Sequence, residues 1–211
     1  EVSRNLAETG TFTVQDPATG KLVPFARRVP VFHAATAVII RLFGPDMSWQ
    51  FAVFNILLST ATVLLGAALF CSLAGPAVGI LGGYLMALNP NSLYYSVQIL
   101  PDTLFSLFVI LAAIIGLRAL RAGSLKWYLG WGFSIGFAAL IKPVFKYFWA
   151  APLLLPLGVK ALRENALKKA ALLLAGFALA VSPWLVRNYT ELKLPGFESD
   201  FGMNTIWATT D

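Results

Sequence analysis

From Phe51 onward the chain alternates long apolar runs with short polar interruptions, whereas Glu1 to Pro30 holds no such run. Turn signals at Gly10, Asp16-Pro17 and Thr19-Gly20 and the basic pair Arg27-Arg28 make that opening stretch a loop with short helical pieces. Val31 to Phe43 is apolar but too short to cross a hydrocarbon core of about 30 Å, and it bears His33 and Arg41, so it suits a helix lying at the interface. Six spans follow: Phe51–Leu73, Ala77–Leu100, Thr103–Leu117, Trp127–Ile141, Val144–Val159 and Ala170–Val186. The second must break or fray at Asn89-Pro90-Asn91, because Pro90 lacks an N–H and restricts Asn89. The shorter ones borrow length from flanking aromatic and basic residues.

The expected fold is therefore all-α, a polytopic transmembrane helix bundle with short interfacial helices in its first external loop. Residues 1–50 form that loop, 51–189 the six-span module, and 190–211 a further external loop or the start of a next segment. Composition agrees: the 211 residues are 58% hydrophobic and 12% charged, against about a quarter charged in soluble domains. Cys71 is the only cysteine and His33 the only histidine, so neither a disulfide within the chain nor a Cys/His metal cluster is expected. The first ten residues lack the basic and apolar regions of a signal peptide, and the chain has no initiator Met, so it is expected to begin inside a longer protein.

Charge fixes the expected orientation. The loops after the third and fifth spans hold Arg118, Arg121, Lys126, Lys160, Arg163, Lys168 and Lys169 against Glu164 alone, which makes them cytoplasmic. The other nine basic and nine acidic residues cancel, so the net charge of +6 belongs to the cytoplasmic face. The basic balance thus reports membrane topology and not nucleic-acid binding.

Every candidate for chemistry then falls on the external face. Asp102 stands at the mouth of the third span, after the polar aromatic turn that holds Tyr94 and Tyr95. It is either an acid stabilised by a helix dipole or a carboxylate that takes a proton from a hydroxyl. Arg27 and Arg28 are either a solvated pair or a phosphate clamp. His33 reads as an interface residue or a substrate-lining one, and Lys142, before Pro143, either snorkels or meets an anion. Arg187 and Asn188, near Trp184 and Tyr189, form either an aromatic belt with an anchor or part of an anion site.

The segments EVSRNLAETGTF with RRVP downstream, RLFG, NPNSLYYSVQILPDTLF, GFAALIKP, and PWLVRNY with the Ser199–Asp211 tail carry, in that order, a resemblance over nearly the whole chain. They resemble the bacterial GT-C glycosyltransferases of the ArnT-like and protein O-mannosyltransferase-like group. The resemblance implies a GT-C-like bundle that transfers a sugar from a polyprenyl-phosphate donor to a hydroxyl acceptor on the external face, with inversion. It implies Asp102 as catalytic acid residue, with Arg28, Arg27, Lys142 and Arg187 at the donor phosphate and His33, Tyr94, Tyr95 and Asn188 as candidate lining. In that group another acid precedes the segment like Glu1–Phe12, so the chain is expected to be an incomplete piece of the catalytic module, and Asp102 the second carboxylate of a pair.

The expected partners are the lipid-linked sugar donor, a hydroxyl acceptor of unspecified kind and membrane lipids, with no nucleic acid. No cofactor is required by the sequence, and a divalent metal is left open. The expected location is the bacterial cytoplasmic (inner) membrane, multi-pass, with a periplasmic active face. Two other classes stay open: a transporter or flippase-like protein for lipid-linked or anionic substrates, and a non-catalytic membrane scaffold.

Overall fold

Proline, glycine and asparagine set the boundaries of the helices in this chain. The computed structural model describes residues 1–45, 48–152 and 164–198. The later part of the expected span Val144–Val159, the basic residues Lys160 and Arg163, and the tail from Ser199 to Asp211 lie outside the described residues. The chain packs as two units, Glu1–Met47 with Val181–Asp211, and Ser48–Ala180.

In the first unit, α1 (Val2–Thr9) stops at Gly10, whose φ of 72° returns its N–H to the carbonyl of Leu6. A hairpin follows, β1 (Thr13–Gln15) against β2 (Leu22–Pro24), antiparallel with Val14 opposite Val23. The hairpin adds a small strand element to the helical fold expected from sequence. Its turn is closed by Asp16, which accepts from the Ala18 N–H at 3.1 Å and the Thr19 hydroxyl at 2.6 Å, while Gly20 supplies a φ of 69°. The Thr19 bond, then that of Ala18, holds the Asp16 carboxyl below its usual range. Next, α2 (Pro30–Phe43) begins with Pro30 in its first turn, where a missing N–H costs nothing, and ends at Gly44 with φ 89°. Helix α1 packs on α2, and Ser3 Oγ lies 2.9 Å from His33 Nδ1.

The second unit is built from α3 (Ser48–Ala74), α4 (Pro76–Ala87), α5 (Pro90–Ser96), α6 (Asp102–Ala122), α7 (Leu125–Ala139) and a 3₁₀ helix (Pro143–Ala150). The helix α8 (Ala166–Leu192) gives its first half to this unit and its second half to the other. Among the described residues three helices, α3, α6 and α8, are long and apolar enough to cross a membrane. At 1.5 Å per residue, 27 residues reach about 40 Å and 21 residues about 31 Å. They match the first, third and sixth expected spans, with α6 and α8 running further than the apolar pattern marks. The second expected span is divided, α4 ending before Asn89 and α5 starting at Pro90. Asn89 Oδ1 accepts the N–H groups of Asn91 at 2.9 Å and Ser92 at 3.3 Å, so a side-chain cap replaces the lost ladder.

Small residues bring these helices together. Gly79 and Gly83 of α4 face Ala67 and Cys71 of α3, and Gly132 and Gly136 of α7 face Leu173, Phe177 and Ala180 of α8. A Cβ at Gly132 would run into the Leu173 carbonyl. In a bilayer, where lipid offers apolar contact as well as protein does, this close fit is what favours helix association.

Candidate active site

Pro143 determines where Lys142 points. The residue before a proline is steered out of the helical region, and Lys142 is extended, with φ −135° and ψ 117°, just past the end of α7. Its Nζ lies 2.5 Å from Asp102 Oδ1, and 5.6 Å from the centre of the Phe105 ring one turn along α6. Asp102 is the first residue of α6, after Pro101. The helix dipole favours the negative charge there. The carboxylate also accepts from Lys142, a contact that stabilising the helix end does not require.

Asp102 is also one wall of a polar cavity of about 240 Å³. Ser59 and Thr62 of α3, Asn91 and Tyr95 of α5, and Thr103 and Ser106 of α6 surround it. Two bonds fix this shape: Asn55, 1% exposed, donates to the Gln98 carbonyl at 2.7 Å, and the Thr103 hydroxyl donates to that of Tyr95 at 3.1 Å. Hydroxyls and amides on the walls, with one carboxylate at the mouth of a span, suit a polar, hydroxyl-bearing ligand. Tyr95 lines the cavity, whereas Tyr94 is exposed and meets Tyr95 edge-on at 5.4 Å.

The other candidates belong to the first unit. Arg27 and Arg28 are exposed between β2 and α2. His33 is ringed by Phe12, Phe25 and Phe32, with centroids at 5.5, 6.4 and 5.9 Å. Burial first, and neighbouring positive charge including Arg28 second, push its pKa down to about 4. Arg187 donates to the carbonyls of Phe25 and Phe12, both at 2.8 Å, and pairs with Glu191 at 2.7 Å. Its guanidinium also lies over the rings of Trp184 and Phe12, at 5.1 and 5.6 Å. Asn188 is fully buried, accepts from Arg187 at 3.1 Å and donates to the Gly196 carbonyl at 2.9 Å. Both residues are thus engaged in holding loops.

Within the second unit, then, the structure unites Asp102, Lys142 and Tyr95. The serine, threonine and asparagine residues of the cavity were not singled out as site residues. Their signal was present in part: Ser59 and Thr62 repeat at helical spacing within a span, as do Thr103 and Ser106 beside Asp102. Among the described residues, no group of three or more His, Cys, Asp or Glu side chains is placed to hold a metal ion.

A multi-pass helical membrane protein with a carboxylate and an ammonium beside a polar cavity at the end of a span fits a membrane glycosyltransferase. The family model for dolichyl-phosphate-mannose-protein mannosyltransferases matches residues 26–186, which include Asp102 and Lys142. The chain belongs to this family of membrane glycosyltransferases, which use a lipid-phosphate-linked sugar. No match was found among curated proteins or among solved structures.

Proposed function

We propose that the full-length protein moves a sugar, mannose by family, from a polyprenyl-phosphate donor to a hydroxyl acceptor with inversion. The reaction takes place on the external face of a bacterial inner membrane. The acceptor oxygen attacks C1, the bond from C1 to the phosphate oxygen breaks, the proton passes to Asp102, and polyprenyl phosphate leaves. Attack opposite the leaving group inverts the anomeric carbon.

The observation that carries this reading is the Asp102–Lys142 pair on the wall of the polar cavity, within the matched segment. Lys142 occupies Oδ1 and so fixes the carboxylate's orientation, and its ammonium, with three donors, has capacity left for a phosphate oxygen. Arg28 and Arg27 are proposed to meet the phosphate, where guanidinium forks match its geometry. The bonds of Arg187 and Asn188 support a role for them in shaping the first loop. The reading invokes no cofactor, so assays are run with and without a divalent metal. Positive-inside counting supports the orientation, since the basic loops lie away from Asp102 in sequence.

Asp102→Asn in the full-length protein tests the assignment. Sugar transfer is expected to fall about 10²-fold or more, the usual worth of a positioned acid or base, with thermal stability kept. Wild-type turnover in a folded Asp102→Asn protein would overturn it.

A further inference from the structure

The opposite end of α6 carries a second cavity, of about 250 Å³, between α3 and α6. The two helices frame it with matching stripes: positions 65, 68, 69 and 72 of α3, and 114, 117, 118 and 121 of α6. Each is an i, i+3, i+4, i+7 pattern, one continuous face of a helix. The stripes are apolar, Leu69 and Leu117 among them, until the last turn, where Arg118 and Arg121 appear with Ser72 opposite. Arg121 donates to the Ser72 carbonyl at 2.7 Å, and Arg118 lies over the Trp127 ring at 5.6 Å. These contacts hold both guanidiniums at the rim with most of their five N–H donors unspent. Among the described residues neither is paired with a carboxylate, and both are exposed.

We propose that this groove binds one anionic phospholipid, its acyl chain along the apolar stripes and its phosphate on Arg118 and Arg121. The position of the arginines along α6 suits the ligand. Arg118 lies about 24 Å along α6 from Asp102, which puts the guanidiniums near the far interface when Asp102 is at the near one. A phospholipid places its phosphate at that level and its chain alongside the stripes. A soluble anion would use the arginines but leave the apolar groove unfilled. A zwitterionic lipid would fill the groove but bring its own positive charge towards the two arginines of the rim.

The test is lipid retention by the purified full-length protein, read by native mass spectrometry after exchange into mixed phosphatidylglycerol and phosphatidylcholine. The wild type is expected to retain phosphatidylglycerol in preference, and Arg118→Gln with Arg121→Gln to lose about tenfold or more of that preference. Leu69→Trp, which fills the groove and keeps both arginines, is expected to lower retention of the lipid. Inorganic phosphate at millimolar concentration is expected not to displace it. Equal retention of the two lipids by the wild type, an unchanged preference in the double variant, undiminished retention in Leu69→Trp, or displacement by phosphate alone would each overturn the proposal.

Discussion

Lys142 reaches back across forty residues of sequence to hold Asp102 at 2.5 Å, so the cation after α7 and the acid at the start of α6 form one pair. Both side chains are part-exposed, at 32% and 25%, which limits the pair's worth to stability to about 1 kcal/mol or less. Its value therefore lies in where it holds the carboxylate.

Substitutions of Lys142 separate positioning from simple anchoring. Lys142→Ala is expected to lower kcat about tenfold or more with little change in thermal stability, and Lys142→Arg to recover part of the loss. Adding Lys142→Ala to Asp102→Asn is expected to cost far less than the sum of the two, since residues acting as one unit are not additive. Additive losses in that double-mutant cycle, or an unchanged kcat in Lys142→Ala, would mean that Lys142 only reaches for the membrane surface.

Sequence made legible three of the six expected spans, those that become α3, α6 and α8, and the Asn89-Pro90 break, because long apolar runs and a proline each act locally. The hairpin was not legible, since three-residue strands fall below any period-two signal, and its turn reads only as a loop until Asp16 is seen closing it. The cavity was legible in pieces. Ser59, Asn91 and Thr103 sit on three different helices, and only packing shows that they share one space. Arg187 was the least legible: a basic residue at a span end looks the same whether it meets an anion or, as here, two carbonyls 162 and 175 residues away.

The helix contacts predict a sharp contrast among neighbouring glycines. A Cβ on Gly132 meets the backbone of Leu173, and one on Gly176 the backbone of Leu129, neither of which can swing aside. Alanine at either position is expected to destabilise the protein by about 1–3 kcal/mol, the cost of overpacking. Gly130 has only the Ile115 methyl at 3.8 Å, so Gly130→Ala is expected to be neutral or stabilising. Thermal unfolding in detergent ranks the three; equal stability would contradict the close fit of α7 on α8.

His33 predicts a pH dependence. Its folded pKa is about 4 and its ordinary value 6.5, so between these the unfolded chain takes up a proton that the folded chain refuses. Stability is thus fully present above pH 6.5 and is lost as pH falls towards 4, by at most about 3 kcal/mol, and less for a ring that solvent partly screens. His33→Phe, which keeps the ring among Phe12, Phe25 and Phe32, is expected to flatten that part of the profile. Melting curves from pH 7.5 to 4.5 that fall equally in both proteins would assign the effect to other groups.

Arg187 offers a choice between fold and site that one pair of variants decides. Its guanidinium spends two donors on the Phe12 and Phe25 carbonyls, is clasped by the Phe12 and Trp184 rings, and pairs with Glu191. Hydrogen bonds to a charged group are worth about 1.5–3 kcal/mol each, and lysine, a single point charge, cannot serve both carbonyls in the same geometry. Arg187→Ala and Arg187→Lys are therefore both expected to lower the melting temperature, with faster amide exchange in the hairpin. The folded fraction should keep a donor KM close to the wild-type value. A donor KM raised about tenfold in Arg187→Ala, rescued by lysine and with melting unchanged, would instead put this side chain on the phosphate.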